Sequence, residues 1–211
     1  VTVLNKVESE TAAPETATAA RHSPLEHRAA ELERRSASGA RGVRLREEPF
    51  LTQINLRTPP GGAEASAVSE SLGLPLPTAN RVSGDEHDAV LWLGPDESLI
   101  VAPDGRAEHL LRTVRDAQRG GSGSAVDVSA NRTTLRLSGP AAREVLEKLC
   151  SLDLHPRSFG PGDCAQTLLG RVIVVLWQLD REPGYRIMVR CSFADYLVDL
   201  LLDAMAEFLD G

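Results

Sequence analysis

The chain has 211 residues, with 42% hydrophobic and 25% charged, ordinary globular proportions that allow a sizeable core in one domain or two small lobes. The net charge of −7 and a pI near 5.3 argue against nucleic-acid phosphates or anionic membrane surfaces as main partners. Apart from Lys6 and Lys148, the basic residues are all arginine, which makes planar bidentate contacts and tolerates burial at interfaces better than lysine.

Residues 1–20 are rich in Thr, Ala and Glu, with Val1, Val3, Leu4 and Val7 their only sizeable apolar members. Such a stretch buries too little to order itself, so an extended tail that lies on another surface is expected. Ser23-Pro24-Leu25-Glu26 predicts a helix start, with Ser23 as cap and Glu26 closing a capping box. That helix should run to about Arg35. Val43–Arg46 alternates as a half-buried strand, and Phe50–Leu56 follows as a second. Ala63–Leu72 reads as a helix closed by Gly73, and the prolines of Leu74-Pro75-Leu76-Pro77 impose an extended path.

From Asp88 onward the order is two strands, then a helix. Ala89–Leu93 and Ser98–Ala102 flank a turn at Gly94-Pro95-Asp96-Glu97, and a helix follows from about Gly105 to Gln118. The Gly/Ser-rich run from Arg119 to Ser124 is the clearest internal boundary. Ala125–Val128 and Thr133–Leu137 repeat the strand pair, and Pro140 opens a helix. Gln166–Leu169 and Val172–Leu179 are separated by Gly170, expected as a bend or bulge. Tyr185–Arg190 returns, and Ser192 with Asp195 predicts a capping box for a last helix to about Leu209. Strands this closely joined fit an α+β fold of antiparallel sheets with helices packed on them. The expected organisation is a tail over 1–20 and one domain over 21–211, in two lobes of about 21–119 and 125–211.

Motifs for chemistry are sparse. No G-x-G-x-x-G opens a helix, and the Gly120–Ser124 run precedes a strand, where it cannot offer a helix N-terminus to a phosphate. His22, His27, His87, His109 and His155 have no metal-ligand spacing. Cys150, Cys164 and Cys191 are odd in number, far apart and outside any C-x-x-C, so reduced thiols are expected rather than a disulfide framework or zinc site. Asp127 should accept backbone N–H groups at a turn, and Trp92 and Trp177 should pack in the core. The start of the chain lacks the signature of a signal peptide, and Val172–Leu179 is too short to span a bilayer. A cytoplasmic protein is expected.

Several short pieces, in order, carry a resemblance. Trp92–Glu97, Val126-Asp127-Val128-Ser129, Leu135–Ala142, Leu152-Asp153-Leu154 and Tyr185–Val189 resemble the folate-binding domain of the aminomethyltransferase family. Within that superfamily the Ser-Pro-Leu start, Leu74–Asn80 and the Trp92–Glu97 turn are most similar to the gamma subunits of heterotetrameric sarcosine oxidases. The resemblance implies a four-chain flavoenzyme that oxidises sarcosine with oxygen to glycine, hydrogen peroxide and formaldehyde or a folate-bound equivalent. FAD, FMN, NAD, zinc and tetrahydrofolate are implied in the alpha, beta and delta partner subunits, with the large alpha subunit the expected contact. In the transferases a Gly-rich turn precedes two aspartates; aligning Gly170-Arg171-Val172-Ile173 with that turn puts Val174 and Val175 in their place. A valine cannot take a proton, so no catalytic, cofactor-binding or metal-binding residue is expected in this chain. A free-standing tetrahydrofolate-binding protein or degenerate aminomethyltransferase, and the equivalent subunit of an oxidoreductase for another N-methylated amino acid, remain alternatives. Candidate contact regions are the tail, the Arg34–Arg46 stretch and the Pro75–Pro77 segment.

Overall fold

The computed structural model describes residues 20–209; the tail expected over 1–20 lies outside them, save its last residue. In chain order the elements are α1 (Ala29–Arg34), β1 (Arg44–Glu48), β2 (Thr52–Arg57), α2 (Ala63–Leu72), β3 (Val82–Gly84), β4 (Ala89–Gly94), β5 (Glu97–Ala102) and α3 (Ala107–Ala117). There follow β6 (Ser124–Asp127), β7 (Arg132–Ser138), α4 (Ala142–Glu147), β8 (Cys164–Leu169), β9 (Val172–Asp180), β10 (Gly184–Arg190) and α5 (Ala194–Met205). The strands form two antiparallel sheets, ordered β1-β7-β10-β9-β8 and β3-β4-β5-β2-β6. The α+β class expected from the sequence holds.

Three apolar cores fix the layering. The first lies between the β1–β8 sheet and the helices α1, α4 and α5, and includes Leu135, Leu176, Ile187, Leu197 and Leu201. The second lies between the other sheet and α2 and α3, through Ile54, Leu56, Val68 and Val114. The third joins the sheets face to face, through Leu91, Leu99, Val101, Val175, Trp177 and Met188. The result is four layers, helices–sheet–sheet–helices. Each sheet is buried on both faces, which explains the unbroken apolar run of β9. Side chains alternate along a strand, so Val174 and Leu176 face the helices while Val175 and Trp177 face the second sheet. The α5 stripe of Leu197, Val198, Leu201, Leu202 and Met205 is buried, which contributes on the order of 10 kcal/mol before chain entropy is charged against it.

The strand pair read as a hairpin at 125–137 is not one. β6 pairs with β2, whereas β7 pairs with β1 and β10. A tight connection, in which Asn131 N–H donates to Val128 O and Ser129 N–H to Asp127 Oδ1 (2.9 Å each), carries the chain from one sheet to the other. Nor does the Gly/Ser run separate the sheets. β1, from before it, lies in the sheet of β7–β10, and β6, from after it, lies in the sheet of β2–β5. Strand alternation reports which face is buried, not which neighbour pairs, so the sequence could not place these partners.

Local signals met mixed outcomes. Gly73 closes α2 in the left-handed region as expected (φ 67°), with Gly73 N–H donating to Glu70 O and Leu74 N–H to Ser69 O. Gly170 is instead the first residue of a two-residue hairpin turn at φ 57°, where a Cβ would come within 2.7 Å of Leu200. Neither capping box forms. Ser23 donates its hydroxyl to Glu47 and accepts no N–H of the helix start, and α5 begins after a 3-10 turn at Cys191–Phe193 with no side-chain cap.

Asp195, the expected box partner, serves tertiary structure. Its carboxylate meets His27 Nε2 at 2.9 Å and Arg28 Nη1 at 3.2 Å. Arg28 also donates to Glu31 and Asp199 at 2.7 Å each, clasping the first helix to α5. The hydrogen bond to Asp199 leads the interactions that raise the Arg28 pKa above the usual arginine value. Replacing Arg28 with Met should lower the unfolding free energy by about 1–2 kcal/mol, modest because the two aspartates are solvent-exposed. The urea midpoint reads this loss, which should shrink in high salt.

Candidate functional site

The most concentrated charge on the inner face of the β1–β8 sheet is a single row across five strands. Arg46 lies opposite Arg136, Arg136 opposite Arg186, Arg186 opposite Trp177, and Trp177 opposite Cys164. Three abreast arginines would repel one another in isolation. Glu48 at the end of β1 resolves this: its carboxylate accepts from Arg46 Nη2 at 2.9 Å, Arg186 Nε at 2.6 Å and Arg136 Nη1 at 3.5 Å. Arg136 Nη1 also donates to Glu86 Oε2 at 2.8 Å, and Arg186 Nη1 to the Glu86 carbonyl at 2.6 Å. Glu86 belongs to the turn between β3 and β4, so these bonds bridge the two sheets. The Arg186 side chain is 7% exposed, and its guanidinium sits 5.2 Å from the centre of the Trp177 ring, within cation–π range.

A cleft of about 520 Å³ opens beside this row, lined by Val82, Glu86, Arg136, Trp177, Leu179 and Asp180 among others. The hydrogen bond from Arg136 holds the Glu86 carboxyl below the usual glutamate range. Asp180 moves the other way, because its burial outweighs an Arg136 guanidinium 4.0 Å off. Glu48 and Glu86 both serve as hydrogen-bond acceptors for arginines. A larger groove, about 630 Å³, runs between α1 and β1 past Arg21, Arg44 and Phe50.

The positions singled out in the sequence are dispersed. Val174 and Val175 are 1% and 2% exposed, enclosed in different cores on opposite faces of β9. Cys164 is buried, and desolvation pushes its thiol up to about 11; Cys150 is also buried and Cys191 half-buried. His22 pairs with Glu26 and His27 with Asp195, while His155 Nδ1 accepts from Arg157 N–H. Among the described residues no group of three or more His, Cys, Asp or Glu side chains could hold a metal ion, and no helix is long and apolar enough to cross a membrane. Trp92 and Trp177 pack in the core between the sheets, as expected, and Asp127 accepts the Ser129 N–H.

Sequence reasoning missed the arginine row. Its signal lay in Leu135-Arg136-Leu137 and Tyr185-Arg186-Ile187, where a charge interrupts an apolar strand on the same alternating face.

Two outcomes follow for this row. Arg186→Met should destabilise the fold by about 3 kcal/mol by leaving Glu48 buried and under-compensated, and adding Glu48→Gln should recover part of that loss in equilibrium unfolding. Glu86→Gln should flatten the acid limb of stability. The folded pKa of Glu86 lies below its unfolded value, so its contribution is full above about pH 4.5 and is lost as pH falls through the folded value. Unfolding midpoints from pH 7 down to pH 3 read the difference.

The comparisons with known proteins converge. A model of the sarcosine oxidase, gamma subunit family matches residues 59–207. Sarcosine oxidase subunit gamma of Corynebacterium sp. (strain U-96) is 45% identical over 190 residues, which is 89% of this chain and 91% of that one. The subunit of the same name from Arthrobacter sp is 44% identical over 193 residues, 90% of this chain and 93% of that one. In three dimensions the chain is similar to one in the heterotetrameric sarcosine oxidase from Corynebacterium sp. U-96 in complex with pyrrole 2-carboxylate. The TM-score is 0.84 at 44% identity, covering 89% of this chain and 96% of that one. The glycine cleavage system aminomethyltransferase T from Bartonella henselae shares the fold, with a TM-score of 0.60 at 17% identity, over 85% of this chain and 56% of that one. With relatives matched nearly end to end and the family model spanning both sheets from α2 onward, this chain belongs to the sarcosine oxidase gamma subunit family.

Proposed function

We propose that this chain is the gamma subunit of a heterotetrameric sarcosine oxidase and supplies surface and stability to the assembly rather than chemistry. The similarity to a chain of the Corynebacterium sp. U-96 heterotetramer, over 96% of that chain, carries this reading. The partners are then the alpha, beta and delta subunits, with contact to the large alpha subunit, in the cytoplasm. FAD, FMN, NAD, zinc and tetrahydrofolate reside in those partners, and the complex oxidises sarcosine with oxygen to glycine, hydrogen peroxide and formaldehyde or methylene-tetrahydrofolate.

The burial of Val174 and Val175 supports a non-catalytic role. A carboxylate at either position would be sealed among apolar side chains, out of reach of any substrate and costly to ionise. Glu48 and, at the cleft, Glu86 support it too, because both are engaged by arginines.

Co-expression with the three partner subunits tests the proposal. An affinity tag on the alpha subunit should retain this chain in a complex with sarcosine-dependent hydrogen peroxide production. The chain purified alone should release no flavin on denaturation and show no calorimetric heat with tetrahydrofolate at micromolar affinity, about −8 kcal/mol. Stoichiometric flavin or folate on the isolated chain would overturn the non-catalytic role.

A further inference from the structure

We infer that a surface of this subunit centred on Leu168 and Ile173 and edged by Arg132 and Arg190 docks a partner chain of the oxidase through an apolar centre and carboxylates at its rim. The inference rests on the subunit reading above and names the face that reading leaves open.

These four residues form one row across four strands. Leu168 of β8 is opposite Ile173 of β9, and Arg190 of β10 is opposite Arg132 of β7. Val189 pairs with Val174, so Arg190 falls beside Ile173. By alternation the row shares the inner face with Val175, Trp177 and Met188, which the second sheet covers. One step further along the strands that cover ends: Ile173 is 67% exposed and Leu168 48%. Tyr196, 43% exposed, stands at the same tip, near Gly170.

Single exposed apolar residues are ordinary on a protein surface. Two directly opposed ones on an edge hairpin are not. β8 has a strand on one side only, and an edge strand presenting an apolar pair invites pairing unless something covers it. Burying such a pair against a partner removes that liability and supplies a contact centre of the kind that dominates binding.

The charge around the pair selects the occupant. Arg132, Arg190 and the turn residue Arg171 have no carboxylate within 4.0 Å among the described residues, in a chain whose 30 acids outnumber its 23 lysines and arginines. Glu97, the acid acting on Arg132, is already engaged by Arg57 at 2.9 Å and Asn55 at 2.6 Å. Arg132 is half-buried, and desolvation, then the neighbouring Arg190, lowers its pKa. Two adjacent cross-strand guanidiniums without an acid among the described residues are complementary to carboxylates from outside them. A second copy of this chain does not meet that need, because a two-fold contact sets this face against itself and arginine against arginine. The fitting partner is a different subunit with an apolar surface rimmed by Asp or Glu.

The test compares wild type, Ile173→Asp, Arg190→Glu and, on the distant helix α3, Arg112→Glu, each co-expressed with the other subunits and recovered through a tag on the alpha subunit. Wild type and Arg112→Glu should be retained equally, and the two patch variants should weaken at least ~10-fold while their isolated chains melt with the wild type. Hydrogen exchange on the wild-type complex gives a second reading that needs no variant: amides of β8 and the start of β9 should exchange more slowly in the complex than in the free subunit. Failure of the wild type to join the complex would sink the subunit reading itself. Retention of both patch variants at wild-type level, or unchanged exchange at the β8–β9 tip, would overturn the docking surface alone. So would a dimer of the isolated chain that Ile173→Asp dissolves, since it would give the face to a second copy.

Discussion

Glu48 and the arginines around it hold the two sheets in register. Face-to-face apolar packing is non-directional and tolerates sliding, whereas a guanidinium fork fixes both distance and angle. Arg186 takes Glu48 with one edge and the Glu86 carbonyl with another. It therefore ties β1 and β10 of one sheet to the β3–β4 turn of the other. Trp177 beneath it carries the same contact into the apolar core between the sheets. Glu48 is shared by three arginines, and Glu86 and Asp180 add two more carboxylates beside Arg136, so the charge of the row is offset locally.

The engagement of these side chains is what the proposed non-catalytic role rests on. A catalytic acid or base needs a free lone pair or proton that a substrate can reach, and Glu48 and Glu86 are held by arginines. The neighbouring strand makes the same point with apolar residues. Val174 through Gln178 of β9 are all buried, and its valines serve two cores at once. The fold of the aminomethyltransferase is shared in the arrangement of strands and helices, and Val174 and Val175 are given over to packing.

Much of this was legible in the sequence. Turn chemistry at Gly94–Glu97 and Gly73, with the apolar stretches between such turns, placed α2, α3, α5, β4, β5 and β10 within a few residues of where they lie. Both capping boxes misled, because Ser23 and Asp195 found tertiary partners that outcompete a local N–H. The pairing of β6 and β7 was not legible. Alternation states that one face is buried, and a short polar connection looks the same whether the chain turns back or crosses to another sheet. The resemblance to the gamma subunits was readable from short, ordered motifs around Trp92 and Tyr185. The arginine row was readable only after β1, β7 and β10 were known to be neighbours, since no spacing links Arg46, Arg136 and Arg186 along the chain.

The exchange of strands between the halves has a consequence for how the chain is made. β1 emerges from the ribosome long before β7, its sole sheet neighbour, and β2 acquires β6 only after the Gly/Ser run has been translated. Neither sheet can be completed from the first half alone; Ile54 finds β5 and most of its core before the Gly/Ser run, whereas Leu45 must wait unburied for β7 and the helices that follow it. Contacts so distant along the chain are slow to form and leave aggregation-prone surface in the interim. A gene divided at Gly120–Ser124 would give two fragments that need each other, and breakdown of the subunit should proceed as a single global event rather than lobe by lobe.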